Sequence, residues 1–203
     1  MNSIKQIEVI LDNRLVGRLA LTREGLCAFE YSAEWLNSGF SISPFELPLR
    51  SGVFIAKSHP FEGGFGVFDD CLPDGWGLLI LDRYLQQKGI NPRTLSLLDR
   101  LALVGSTGRG ALEFRPDNSV VSKQEYADFE KLALDAEQIL DSEDYTGKGI
   151  DEFQYRGGSP GGARPKIFTR YDGKEWLVKF RAKRDSKRIG IEEYNYSLLA
   201  KEC

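Results

Sequence analysis

Histidine and cysteine are scarce in this chain: one histidine, His59, and three cysteines, Cys27, Cys71 and Cys203, among 203 residues. An odd cysteine count without metal-ligand spacing argues against a disulfide framework or a zinc site, and makes a reducing cytoplasm the default. A lone histidine with no Ser or Cys motif beside it gives little basis for a nucleophilic triad. No run of about 18 apolar residues occurs, so no transmembrane helix is expected. The opening MNSIKQIEVILDNRL lacks a basic segment followed by an apolar one, so no signal peptide is expected. An excess of positive charge is also missing: the net charge of −3 argues against non-specific nucleic-acid binding by the whole chain and leaves only a local basic patch open.

What remains is ordinary globular material, 41% apolar and 28% charged, enough for one domain with a sizeable core or two small ones. Residues 7–31 alternate. Ile7, Val9 and Leu11 share one strand face, Asp12-Asn13 turns, residues 15–21 return, and residues 26–31 follow after Arg23-Glu24-Gly25. This predicts a β-meander. Residues 33–36 read as a short helical turn and residues 45–49 as extended, since Pro48 disfavours helix before it. Gly63, Gly64 and Gly66 suggest tight turns. Pro73-Asp74-Gly75 opens a helix through Leu78, Leu81 and Leu85, with Gly89 as its stop. Residues 92–103 read as a second helix and residues 111–114 as a strand.

Ser122 with Glu125 three residues on is a capping-box pattern, and a long helix is expected from there, with Phe129, Leu132, Leu134, Ala136 and Ile139 as its apolar face. Residues 141–151 read as an acidic, glycine-punctuated connection. Two strands, 166–170 and 175–180, flank a turn at Tyr171-Asp172-Gly173, and a last helix spans 191–201. Trp35, Trp76 and Trp176 are expected in the core.

The stretch RGGSPGGARPK, residues 156–166, packs four glycines, two prolines and three cations into eleven residues. Such a segment does not hold a helix or a central strand. It leads into a strand, a hairpin, a strand ending at Lys179, and a helix whose first turn carries Glu192 and Glu193. That order suits phosphate binding: backbone N–H groups cover the phosphates, a strand lysine reaches their oxygens, and a helix glutamate orients the lysine. From spacing alone, an ordinary turn and a solvated strand-end lysine remain open. Residues 104–110, VGSTGRG, lack the Lys-Ser/Thr pair and following helix of a P-loop.

Several separated motifs resemble, in order along the chain, the HipA family of serine/threonine kinase toxins: ISPFELPL, FDDCLPDGWG, LVGSTGRGALEF, SPGGARPK, WLVKF and EEYNYSLLAKE. The resemblance implies that Ser159 is an autophosphorylated loop serine. It implies that Gly161, Gly162, Ala163, Arg164, Pro165 and Lys166 cover ATP, that Lys179 binds its phosphates, and that Glu193 orients Lys179. It also implies ATP and Mg²⁺ as cofactors, a HipB-like DNA-binding antitoxin as partner with DNA reached only through it, and a protein substrate such as an aminoacyl-tRNA synthetase. Family members continue into a helical lobe bearing the catalytic and metal-binding aspartates. Those residues are expected beyond Cys203, so no catalytic or metal-binding residue is assigned within this chain, which alone is expected to show little transfer activity.

The expected fold is α+β: an antiparallel β-rich N-terminal subdomain with helices over 1–118, a connecting helix and linker over 119–146, and the start of a kinase-like lobe over 147–203. The alternative reading is a non-catalytic interaction module, or half of a split toxin that binds an antitoxin or a separate kinase half.

Overall fold

A computed structural model describes residues 3–120, 127–142, 145, 147–157 and 161–203. The meander forms as β1 (Gln6–Leu11), β2 (Arg14–Leu21) and β3 (Cys27–Tyr31). Two further strands extend it: β4 (Val53–Ile55) on β3, and β5 (Leu112–Arg115) on the free side of β1. The resulting sheet, β4-β3-β2-β1-β5, is antiparallel throughout. With seven α-helices among the described residues, the fold is α+β, as expected.

Period-two alternation explains the first core. Ile7 and Val9 of β1, Leu19 of β2, and Phe29 and Tyr31 of β3 are buried. Four helices lie along the segment between β3 and β5: α1 (Ala33–Ser38), α2 (Gly66–Asp69), α3 (Gly75–Gln87) and α4 (Leu97–Val104). Trp35, Phe68, Leu98 and Leu101 join the sheet residues in one cluster, in which Phe68 contacts both Phe29 (5.4 Å) and Phe114 (6.4 Å). The Tyr31 hydroxyl donates to the Leu47 carbonyl and accepts from the Ile42 amide, pinning the loop after α1.

The second half builds another cluster around α5 (Phe129–Asp141), α6 (Gly149–Gly157) and a hairpin of β6 (Lys166–Tyr171) and β7 (Lys174–Lys179). Leu132, Ala136, Ile139, Ile150, Phe153, Ile167 and Phe180 meet Trp76 and Ile80 of α3 there. Helix α3 therefore serves the second core as well as continuing the first unit. The hairpin turns at Asp172-Gly173, both in the left-handed region (φ 51° and 69°), as a two-residue Asp-Gly turn requires. Helix α7 (Ile189–Glu202) ends the chain with no buried residue.

Several expectations are corrected. Helix α5 starts at Phe129, capped by Asp128, whose side chain accepts from the Lys131 amide; Ser122 and Glu125 lie outside the described residues. Its buried face is Leu132, Ala136 and Ile139, whereas Phe129 and Leu134 are exposed. The region read as one helix over 92–103 is a 3₁₀ turn, Pro92–Thr94, followed by α4, because Ser96 and Asp99 form a capping box that restarts the helix. Residues 44–46 form a turn, with only Leu47 extended and bridged to Ser43. Strand β4 and helix α2 are too short to carry a periodic signal.

Helix α6 replaces the last part of the expected 141–151 connection and takes in Arg156 and Gly157 of the glycine stretch. Ile150 and Phe153, three apart, bury into the second core, and Asp151 and Glu152 suit a helix N-terminus. Trp176 is 51% exposed rather than core, on a strand whose residues are nearly all exposed.

Cysteine behaviour follows from burial. Desolvation lifts the thiols of Cys27 and Cys71 to about 11, with the charge of Asp70 adding to the rise at Cys71. Only about a thousandth of such a thiol is ionised at pH 8, and the thiolate is the reactive form. Ellman's reagent at pH 8 is therefore expected to titrate the exposed Cys203 quickly, and the other two only after denaturation. Three fast thiols in the native protein would contradict this.

Candidate functional site

The β6–β7 register pairs Lys166 directly with Lys179, so the hairpin sets two ammonium groups at one end. The Lys166 side chain turns back and donates to the Gly161 carbonyl. Burial lowers its pKa from the usual lysine value, the neighbouring Lys179 pushes the same way, and Asp74 opposes both. Lys179 Nζ lies 2.9 Å from Glu193 Oε2 in the first turns of α7, both side chains being about half exposed (47% and 44%). Glu192 makes no such contact with Lys179. Strand end and helix start are thus joined by a lysine–glutamate pair.

The loop between α6 and β6 is tied down at several points. Arg164 forms a two-pronged pair with Asp185, Nε at 3.0 Å and Nη2 at 2.8 Å, a geometry particular to guanidinium and carboxylate. The bond from Arg164 holds the Asp185 carboxyl below the usual range, and the Ala182 amide adds to it. The Pro165 carbonyl accepts from the Phe180 amide at 2.8 Å, which closes the base of the hairpin. The Gly162 amide donates to Asp74 Oδ1 at 2.8 Å, and the Trp76 amide donates to the Gly162 carbonyl at 3.1 Å. Ala163 sits beside Gly75 in the same contact.

From the first unit, Arg109 of the VGSTGRG segment also reaches the hairpin. It bonds Glu175 at 2.9 Å and lays its guanidinium over the Phe168 ring, 3.4 Å from the centroid. That segment thus acts as a docking loop for the hairpin, a role its glycines did not announce.

The described site residues, Gly161 to Lys166, Lys179 and Glu193, therefore converge on one region. Ser159 lies outside the described residues. Sequence reasoning missed Asp74, Arg109 and Asp185; each is a charged residue far along the chain from its partner, and no local pattern marks such a pairing. Arg156, at the start of the glycine stretch, is drawn into the buried face of α6, where it pairs with Glu152.

The arrangement suits a polyanion: ammonium groups at the open end of a hairpin, a glycine-rich backbone beside them, and a glutamate fixing one lysine. No group of three or more metal-ligating side chains forms among the described residues. A cavity of about 450 Å³ lies beside Asp74, between Phe61, Leu78 and Leu97, and another of about 270 Å³ between α5 and α6; neither is lined by Lys166 or Lys179. No helix among the described residues is long and apolar enough to cross a membrane.

Residues 7–115, more than half of the chain, match the family model of the HipA N-terminal domain. The match takes in the five-stranded sheet from Ile7 onward, α1 to α4 and Asp74, and it stops before the glycine loop. No match is found among curated proteins.

Proposed function

The chain belongs to the HipA family through its N-terminal domain, and from that premise we propose that residues 161–193 form the ATP-binding edge of a serine/threonine kinase toxin. The observation that carries the reading is the 2.9 Å Lys179–Glu193 pair, a strand lysine held by the first turn of the next helix. Lys179 binds phosphate oxygens, Glu193 fixes its direction, and the loop backbone from Gly161 to Lys166 covers the nucleotide. ATP would bring Mg²⁺ with it as a counter-ion to its phosphates. On this reading Ser159 is the loop's phosphorylation site. The complete kinase acts in the cytoplasm on a protein substrate such as an aminoacyl-tRNA synthetase, restrained by a HipB-like DNA-binding antitoxin.

A second reading, an interaction module without transfer chemistry, is favoured by α7. Ile191, Tyr194, Tyr196, Leu198 and Leu199 are all exposed on it. Nucleotide binding separates the two. Calorimetric titration of the chain with ATP is expected to give a saturable signal. Lys179→Ala is expected to weaken it about tenfold, the scale of one charge-assisted phosphate contact. Lys201→Ala, an exposed lysine at the far end of α7, is expected to leave it unchanged. Absence of binding at millimolar ATP, or equal affinity in Lys179→Ala, would sink the kinase reading.

A further inference from the structure

Helix α3 begins without a cap of its own. Asp74 occupies the N-cap position, yet its side chain bonds none of the helix's N–H groups. Its carboxylate instead accepts from the Gly162 amide at 2.8 Å, and the Gly162 carbonyl accepts from the Trp76 amide at 3.1 Å. The loop peptide stands in for the missing cap, and each segment satisfies a donor of the other. The partners lie 88 residues apart in the chain.

Gly75 makes the approach possible. Its φ is +45°, and a Cβ there would sit 2.7 Å from the Gly162 carbonyl oxygen and 3.0 Å from the Ala163 nitrogen. The space a side chain needs is filled by loop backbone, so any larger residue would drive the loop away. Arg109 holds the hairpin from the same unit, through Glu175 and Phe168.

We infer that Asp74 and Gly75 are positioning residues: the N-terminal unit clamps the glycine loop at Gly162 and presets the backbone that covers the nucleotide. The nucleotide part rests on the function proposed above. Gly162 is held at both its N–H and its C=O, on the two peptide groups that flank its Cα, and that sets the orientation of the backbone there. A carboxylate that merely competed with phosphate for the Gly162 amide would need neither the Trp76 bond nor a missing side chain at position 75.

The test uses the full chain as wild type, Asp74→Ala and Asp74→Asn, with amide exchange read at Gly162 by NMR and ATP affinity by calorimetry. Thermal melting checks that each variant folds. Asp74→Ala is expected to speed Gly162 exchange about tenfold and to weaken ATP binding by a similar factor, as loss of one charge-assisted bond implies. Asp74→Asn keeps an acceptor oxygen and is expected to recover most of both. Gly75→Ala is expected to produce the same losses by a steric route. Gly162 exchange unchanged in Asp74→Ala overturns the clamp. Faster exchange with unchanged or tighter ATP binding overturns the positioning role. If the wild type binds no ATP, the nucleotide reading falls, and the exchange result alone decides the clamp.

Discussion

Replacing Trp76 by alanine is expected to lower the unfolding free energy by about 3–5 kcal/mol, the usual loss for a large buried aromatic. Trp76 is 2% exposed and meets Phe153 edge to face at 5.0 Å. Around it stand Ile80 from its own helix, residues of α5 and α6, and Ile167 and Phe180 of the hairpin region. The damage should be uneven, because the first core is built from residues between Ile7 and Phe114 and does not include Trp76. Hydrogen exchange is expected to quicken in 129–157 and 166–180 while 7–31 stays protected. Urea unfolding supplies the magnitude. A loss below about 1 kcal/mol, or equal loosening of both cores, would mean the second core does not depend on α3.

Asp99→Ala is expected to cost about 2–4 kcal/mol, from a different cause. Asp99 is 3% exposed, and its carboxylate accepts three bonds: from the Ile4 amide (2.9 Å), the Ser96 amide (3.0 Å) and the Ser96 hydroxyl (2.7 Å). One side chain thus completes the cap of α4 and ties down the segment entering β1. Alanine leaves those donors unsatisfied in a partly buried place, where water compensates only in part. Asn keeps one acceptor oxygen and should fall between wild type and Ala. Urea midpoints measure the loss, and exchange at the Ile4 amide reports the tie directly. Equal stability of all three proteins would show that water replaces the carboxylate at little cost.

The meander was legible because alternation over 7–31 leaves each strand only one register that buries Ile7, Val9, Leu19 and Phe29 together. The start of α3 at Asp74-Gly75, its stop near Gly89 and the Asp172-Gly173 turn were legible for the same kind of reason. Each depends on φ preferences of residues within a few positions. The order along the chain, strand lysine then helix glutamate, left both Glu192 and Glu193 open as partners of Lys179, and the contact falls on Glu193. Helix α6 was misread because the glycines around it outweighed the Ile150–Phe153 spacing. The start of α5 was misread because the Ser122–Glu125 pattern masked the weaker signal of Asp128.

The meander strands, the hairpin turn and the limits of α3 were decided by the sequence itself, through backbone preference and apolar period, which act within a turn or two. Tertiary structure decided which surfaces those elements meet. It turned Trp76 into the second core but left Trp176 half exposed, since a tryptophan's burial depends on whether another layer covers it. It brought Asp74 onto Gly162, Arg109 onto Phe168 and Arg164 onto Asp185. Such contacts depend on where two separately formed segments come to rest. A charge or a glycine has the same local preference whether or not a partner awaits it across the fold, so only the packed chain reveals the clamp.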